Sequence, residues 1–363
     1  MPSAYVDTSD GPAKTIATYN LFKDIKRQIP NEGVVKYEIN TPHFADYAEL
    51  HRYLWLPVDT QIQYRENHTL EYPLGAVVIL TVGYLNDIND PAKGEKLVET
   101  RLIVKGEDEW DTYHYIWNDE MTDARLALAG GTVPVSWTHY NGEQRSIDVH
   151  VPNRNQCAMC HEINDKFTPL GPLQARHLNK DIHVDSAKKN QLTHWTQMGW
   201  LKGTPDDIEQ APRTPVWNDP STGTLNERAR AYLDLNCSSC HQPGGTAWTS
   251  GLDLRYEQND PRKFGVYKQP IAAGRGVANA RFGILPGDPD ESILYIRLKT
   301  TDPGMRMPVV GRGLVHDEGL ELIREWIEEM EPPEHLLAKV NEINELKAIR
   351  EEWLNSLNDS TAN

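Results

Sequence analysis

The sequence has no apolar run of 18 or more residues, so it predicts no membrane-spanning helix. It has no G-x-S-x-G, no phosphate-binding P-loop and no G-x-G-x-x-G. The motif-level signatures of serine hydrolases, P-loop nucleotide hydrolases and dinucleotide-dependent dehydrogenases are therefore missing. Positive charge is in short supply: 37 Lys and Arg stand against 53 Asp and Glu, for a net charge of −16. Such a surface disfavours nucleic acid and anionic membranes. It serves solubility, and it suits a partner with a basic docking surface. Apolar residues reach only 39%, while 25 Gly and 24 Pro imply many turns and long connections. A length of 363 residues still predicts two or three domains with ample core. There is no internal repeat or low-complexity tract beyond the motifs described next.

Cysteine is scarce, and its placement is the most informative feature of the chain. All four cysteines lie in two copies of one pentapeptide, Cys157-Ala158-Met159-Cys160-His161 and Cys237-Ser238-Ser239-Cys240-His241. C-x-x-C-H is the attachment signature of c-type haem. Two thiols on one short turn form thioethers to one edge of the porphyrin, and the adjacent His supplies the proximal nitrogen to iron. A four-cysteine zinc site is the first rival. Zinc pairs lie about 15–20 residues apart, whereas residues 161–236 separate these, and zinc leaves both histidines unexplained. A redox C-x-x-C is the second rival, but it expects a thioredoxin-like βαβ setting. Asn153-Arg154-Asn155-Gln156 does not resemble one. The cofactors expected are two covalently bound haem c groups.

Residues 15–30 predict a short entry helix ending at Pro30-Asn31-Glu32-Gly33. Residues 34–150 read as β, with strand-like runs at 74–82, 97–104, 110–117 and 132–137 separated by Gly130-Gly131 and Asn141-Gly142. Several short strands at this spacing predict a sandwich or barrel. The first motif follows the strand-like Ile147-Asp148-Val149-His150-Val151. A helix is expected over Lys188 to Trp200, then a linker over 202–222. Beyond it, Leu225, Ala229 and Tyr232 mark a helix running into Cys237. Gly304-Met305-Arg306-Met307-Pro308 and a second amphipathic helix over Glu318 to Ile327 follow. The tail carries Leu336, Leu337, Val340, Ile343, Leu346 and Ile349 at three- and four-residue steps, a stripe expected to pack on its own protein.

Several stretches resemble a group of bacterial di-haem c-type cytochromes, secreted proteins with a β-rich N-terminal part and a C-terminal cytochrome c domain. They are Arg230 to Gly245 around the second motif, Ser250-Gly251-Leu252-Asp253-Leu254-Arg255, Leu285 to Leu294, and Met307-Pro308-Val309-Val310-Gly311. Glu99 to Ile103, Tyr115-Ile116-Trp117-Asn118, Thr122-Asp123-Ala124 and Leu178-Asn179-Lys180 are similar more loosely. The resemblance covers residues 20–330 and implies an electron carrier outside the cytoplasm, periplasmic or secreted. It names no substrate. The chain departs from the group at His177, where Gln is expected before Leu178-Asn179. The start, Met1-Pro2-Ser3-Ala4-Tyr5-Val6-Asp7, has neither a basic n-region nor an apolar h-region. The expectation is of a signal peptide removed or replaced.

The iron ligands expected are His161 and His241 on the proximal sides, with Met307 distal to the second haem. A thioether favours Fe(II) and raises the potential, and Pro308 stiffens the loop presenting it. Met305 is the competitor. For the first haem His177 is expected, with His194, Met198 and Met121 as rivals and an open sixth position as the alternative.

The architecture expected is mixed. A β-rich domain (1–150) leads to the first haem segment and linker (151–222). An all-α cytochrome c domain (223–332) and a charged C-terminal helix (333–363) follow. The function expected is single-electron transfer between redox partners. The alternative is a di-haem peroxidase-type enzyme with an open or displaceable first haem, and a third role is docking of a partner by the β-rich part.

Overall fold

The β-formers of the first half assemble into one antiparallel sheet. The structure is a computed structural model and describes residues 3–66, 68–169, 173–184, 186–272, 274–338, 340–342 and 345. The sheet has six strands: β1 (Val34–Lys36), β2 (Glu49–Trp55), β3 (Val77–Leu85), β4 (Glu95–Lys105), β5 (Trp110–Trp117) and β6 (Ala124–Leu126). They are hydrogen-bonded in that order. The two edge strands do not pair with each other, so the sheet is an open meander and not the barrel that was one expectation.

Side chains alternate between faces along each strand. Tyr53, Trp55, Val77, Ile79, Leu102, Tyr115 and Trp117 point to one face, where Ala4, Ile16, Tyr19 and Leu21 cover them. Leu54, Val78 and Ile103 point to the other, against Leu173, Leu178, Leu192 and Trp195 of the segment that follows the first motif. Each fully buried side chain of this size contributes about 1.5–3 kcal/mol. A hairpin of β7 (Gly131–Thr138) and β8 (Gln144–Val151) lays Val135, Trp137 and Val151 on Val82, Tyr84 and Val98.

The entry helix expected at 15–30 is replaced by one 3-10 turn, Ile16–Tyr19, and a strand pair, Phe22–Asp24 with Ile29–Pro30. Asn20 turns left-handed at φ 51° and stops the helix after one turn.

Helices in the rest of the chain include α1 (Arg154–His161), α2 (Ala175–Leu178), α3 (Gln191–Gln197), α4 (Leu225–Cys237), α5 (Pro261–Phe264), α6 (Ile293–Lys299) and α7 (Asp317–Glu328), and residues 334–338 are helical as well. The helix expected at 188–200 is shorter, because Ala187–Asn190 pairs as a strand with Asp181–Val184 and Asn190 then caps α3. Ala229, Tyr232 and Leu233 of α4 pack against Leu322, Ile323, Trp326 and Ile327 of α7. The stretch 202–222 is stitched down rather than loose. Thr41 Oγ1 donates to the Pro215 carbonyl at 2.7 Å and accepts from Trp217 N at 3.1 Å. Leu336 is buried against the α4–α7 core, as its stripe predicted, while Ile343, Leu346 and Ile349 lie outside the described residues.

Candidate functional site

The first motif is helical. Asn153 and Gln156 form a reciprocal capping box at the start of α1, and the Arg154 Nε donates to Asp111 at 2.7 Å, pinning α1 to β5. Cys157 and Ala158 rest on the Leu54–Val78–Ile103 side of the sheet. The Cys157 sulfur lies 3.3 Å from His114 Nε2. His114 Nδ1 is 3.1 Å from Glu99, which also pairs with Arg101. Burial opposes charge on Glu99, but Arg101 and His114 outweigh it and hold the carboxyl at about 2. Burial pushes the Cys157 thiol up to about 11. The His161 ring stacks on Phe167 with centroids 5.6 Å apart, and its Nδ1 is buried without a partner. Burial and then Arg101 hold His161 down to about 4. It is a neutral imidazole, the form that ligates metals.

The second motif begins on the last residue of α4, whose start is fixed by a Thr224–Glu227 capping box. Cys237 packs on the α4–α7 core, and burial pushes its thiol up to about 12. His241 Nδ1 lies 2.9 Å from Ser250 Oγ, and the His241 carbonyl accepts from Leu254 N at 2.9 Å. Tying one ring nitrogen fixes orientation and leaves the other for a metal, as ligating histidines require. Burial and then Arg297 hold His241 down to about 4. Arg297 also links the Met loop to this place: its carbonyl accepts from Met307 N at 3.0 Å, and its Nε donates to the Met305 carbonyl at 2.8 Å.

The two motifs meet. Cys160 and Cys240 lie close enough to act on each other's ionisation, which raises the Cys160 thiol and lowers that of Cys240. The Met159 carbonyl accepts from Cys240 Sγ at 3.2 Å and from Thr246 Oγ1 at 2.6 Å. Asn164 N donates to the Gly244 carbonyl at 2.9 Å. The four thiols do not form a cage. Among the described residues no three His, Cys, Asp or Glu side chains converge on one point, which is the arrangement a structural zinc needs. A porphyrin supplies its own four nitrogens and asks the protein only for axial donors and thiols, and that is the donor set present.

His177, on α2, is fully buried against α4. Its Nε2 is 2.8 Å from Asp234 and its Nδ1 is 2.9 Å from Thr214. Both ring nitrogens are engaged, so an iron would have to displace one of these partners. Met121 packs on the opposite face of the sheet, its sulfur accepting from Leu97 N at 3.3 Å. Met198 is exposed at the end of α3, and His194 lies within that helix. His43 sits half-buried on the loop between β1 and β2. Arg52, Arg101 and His161 are all within its electrostatic reach. Burial, then the Arg52 and Arg101 guanidinium groups, hold it down to about 3. No hydrogen bond reaches its ring among the described residues. No spacing rule marks it, since it precedes its motif by more than a hundred residues.

Among the described residues no helix is long and apolar enough to cross a membrane. No protein-family model matches the chain, and no curated protein or solved structure matches it.

Proposed function

We propose that this protein is a di-haem c-type cytochrome that passes single electrons between redox partners outside the cytoplasm. The observation that carries the reading is the pair of complete C-x-x-C-H motifs, brought together where Cys240 Sγ donates to the Met159 carbonyl at 3.2 Å. Cys157 and Cys160 hold one haem with His161 beneath it; Cys237 and Cys240 hold the other with His241 and Met307 as axial donors. Each group supplies a one-electron Fe(III)/Fe(II) couple. The protein contributes neutral imidazoles, a Ser250 bond that fixes one of them, and burial. His43 is the sixth donor to the first haem in preference to His177, because its ring is not held by other side chains while both nitrogens of His177 are. The periplasm or the exterior is the compartment, since thioether attachment in bacteria takes place there. Partners with basic docking patches suit the net charge of −16.

Denaturing mass spectrometry of the exported protein tests the reading, with electron paramagnetic resonance of the oxidised form. The expected mass is the chain plus two haems, with both irons low-spin. A haem-free chain bearing zinc or a Cys160–Cys240 disulfide overturns it. Two haems with a high-spin first iron that reacts rapidly with peroxide move the function to the peroxidase-type enzyme.

A further inference from the structure

The face of the sheet beneath α1 carries a buried cation that makes no ion pair among the described residues. Arg52 pairs across the strands with Leu80, Leu80 with Arg101, and Arg101 with His114. Directly opposed residues share a face, so the four form one row. Arg101 is neutralised by Glu99. Arg52 is not. It is only 8% exposed, its NH1 donates to the Leu50 carbonyl at 3.1 Å, and its NH2 is buried without a partner. Among the described residues no carboxylate lies within ion-pair distance of it. Glu38 and Glu49 are within electrostatic reach, but Glu38 pairs with Lys180 at 3.0 Å and neither comes within ion-pair distance of Arg52. A buried charge left unpaired is costly, and a guanidinium presenting a free N–H edge is shaped for a carboxylate.

The row also has a direction. His114, at one end, touches the Cys157 sulfur. Arg52 stands three strands away, about 14 Å at ~4.8 Å per strand. A haem fixed at its vinyl edge by Cys157 and laid along the row carries its propionate edge toward Arg52.

We propose that Arg52 is the buried counter-ion of a carboxylate, and that this carboxylate is a propionate of the first haem. The inference rests on the di-haem reading. It makes the sheet the floor of the first haem pocket and Arg52 the group that sets the charge at its far edge.

The test is a potentiometric titration of the two-haem protein between pH 5 and 8, for wild type, Arg52→Gln and Arg52→Lys, with Met307→Ala marking which couple belongs to the second haem. In wild type the first couple is expected to be flat with pH, because the paired propionate stays ionised. Arg52→Gln is expected to shift the first couple's redox equilibrium toward Fe(III) about tenfold, ~59 mV for one electron, and to make it fall as pH rises. Arg52→Lys should retain most of the wild-type behaviour. Two haems with a first couple unmoved by Arg52→Gln, or, should that variant not fold, a wild-type first couple that itself falls with pH, overturn the inference. A wild-type first couple that shifts on adding free succinate overturns the propionate assignment and leaves Arg52 as a site for a soluble carboxylate. A chain that takes up no haem overturns the reading instead, and mass spectrometry distinguishes the two failures.

Discussion

The two motifs are the same five-residue pattern set in opposite kinds of structure. The second is served by its own neighbourhood. Residues 224–328 supply the capped helix that delivers it, the Ser250 hydroxyl that orients His241, and Arg297, which acts on His241 and holds the backbone of Met305 and Met307. The first is served from a distance. Its helix is one short segment, and its surroundings are Arg52, Glu99, Arg101 and His114 from three strands, with His43 from a loop. The difference teaches that a pentapeptide is a local property of a chain, while its surroundings are a tertiary one. The second motif draws its surroundings from contiguous sequence; the first borrows them from a sheet completed before the motif begins.

The largest effect expected on this comparison is at the seam between the halves. His177→Ala leaves the Asp234 carboxylate, only 2% exposed, without its side-chain partner. Stranding a buried carboxylate costs about 3 kcal/mol, measurable as a lowered urea midpoint. Both irons should stay low-spin. His43→Ala should do the reverse, with little loss of stability and one iron turned high-spin. If instead His177→Ala alone changes the spin state, the ligand role returns to His177 and the halves share more than a seam.

The second comparison lies inside the α-helical half. Met307→Ala should turn the second iron high-spin and lower its potential, since the thioether no longer favours Fe(II). Met305→Ala should change neither, because Arg297 holds the Met305 carbonyl, which the substitution keeps. A stronger effect from Met305 would reassign the ligand and leave the loop's position intact.

The helices around the second motif were legible because their signals are short-range. The Leu225–Ala229–Tyr232 stripe and the apolar period of α7 each span a few turns. The sheet was legible in outline through alternation in 74–82 and 97–104, though not its open form, since closure depends on whether β1 and β6 meet. The entry helix failed because Ile16, Tyr19 and Leu21 are claimed by the sheet, and tertiary burial overrides propensity. The contact of Cys240 with the Met159 carbonyl and the Arg52 row carry no sequence signal at all. Both join residues dozens of positions apart, and an arginine that ends unpaired and buried reads like any other in a strand.

The smallest effect separates the motifs most cleanly. Asn153 and Thr224 head helices with the same capping box. Replacing either by Ala should cost about 1 kcal/mol of global stability, so unfolding alone will not tell them apart. Haem content should. Cys157 sits in the first turn of α1, its N–H donating to the Asn153 carbonyl at 3.0 Å. Fraying from Asn153 therefore reaches the sulfur and the turn that must present both thiols together. Cys237 closes the far end of the 13-residue α4, beyond the reach of fraying at Thr224. Asn153→Ala should leave a fraction of chains one haem short at the first motif, and Thr224→Ala should leave both motifs filled. Equal haem content in the two variants would mean that the sheet, rather than the helix cap, holds the first motif in shape, and the first site would then be tertiary down to its attachment turn.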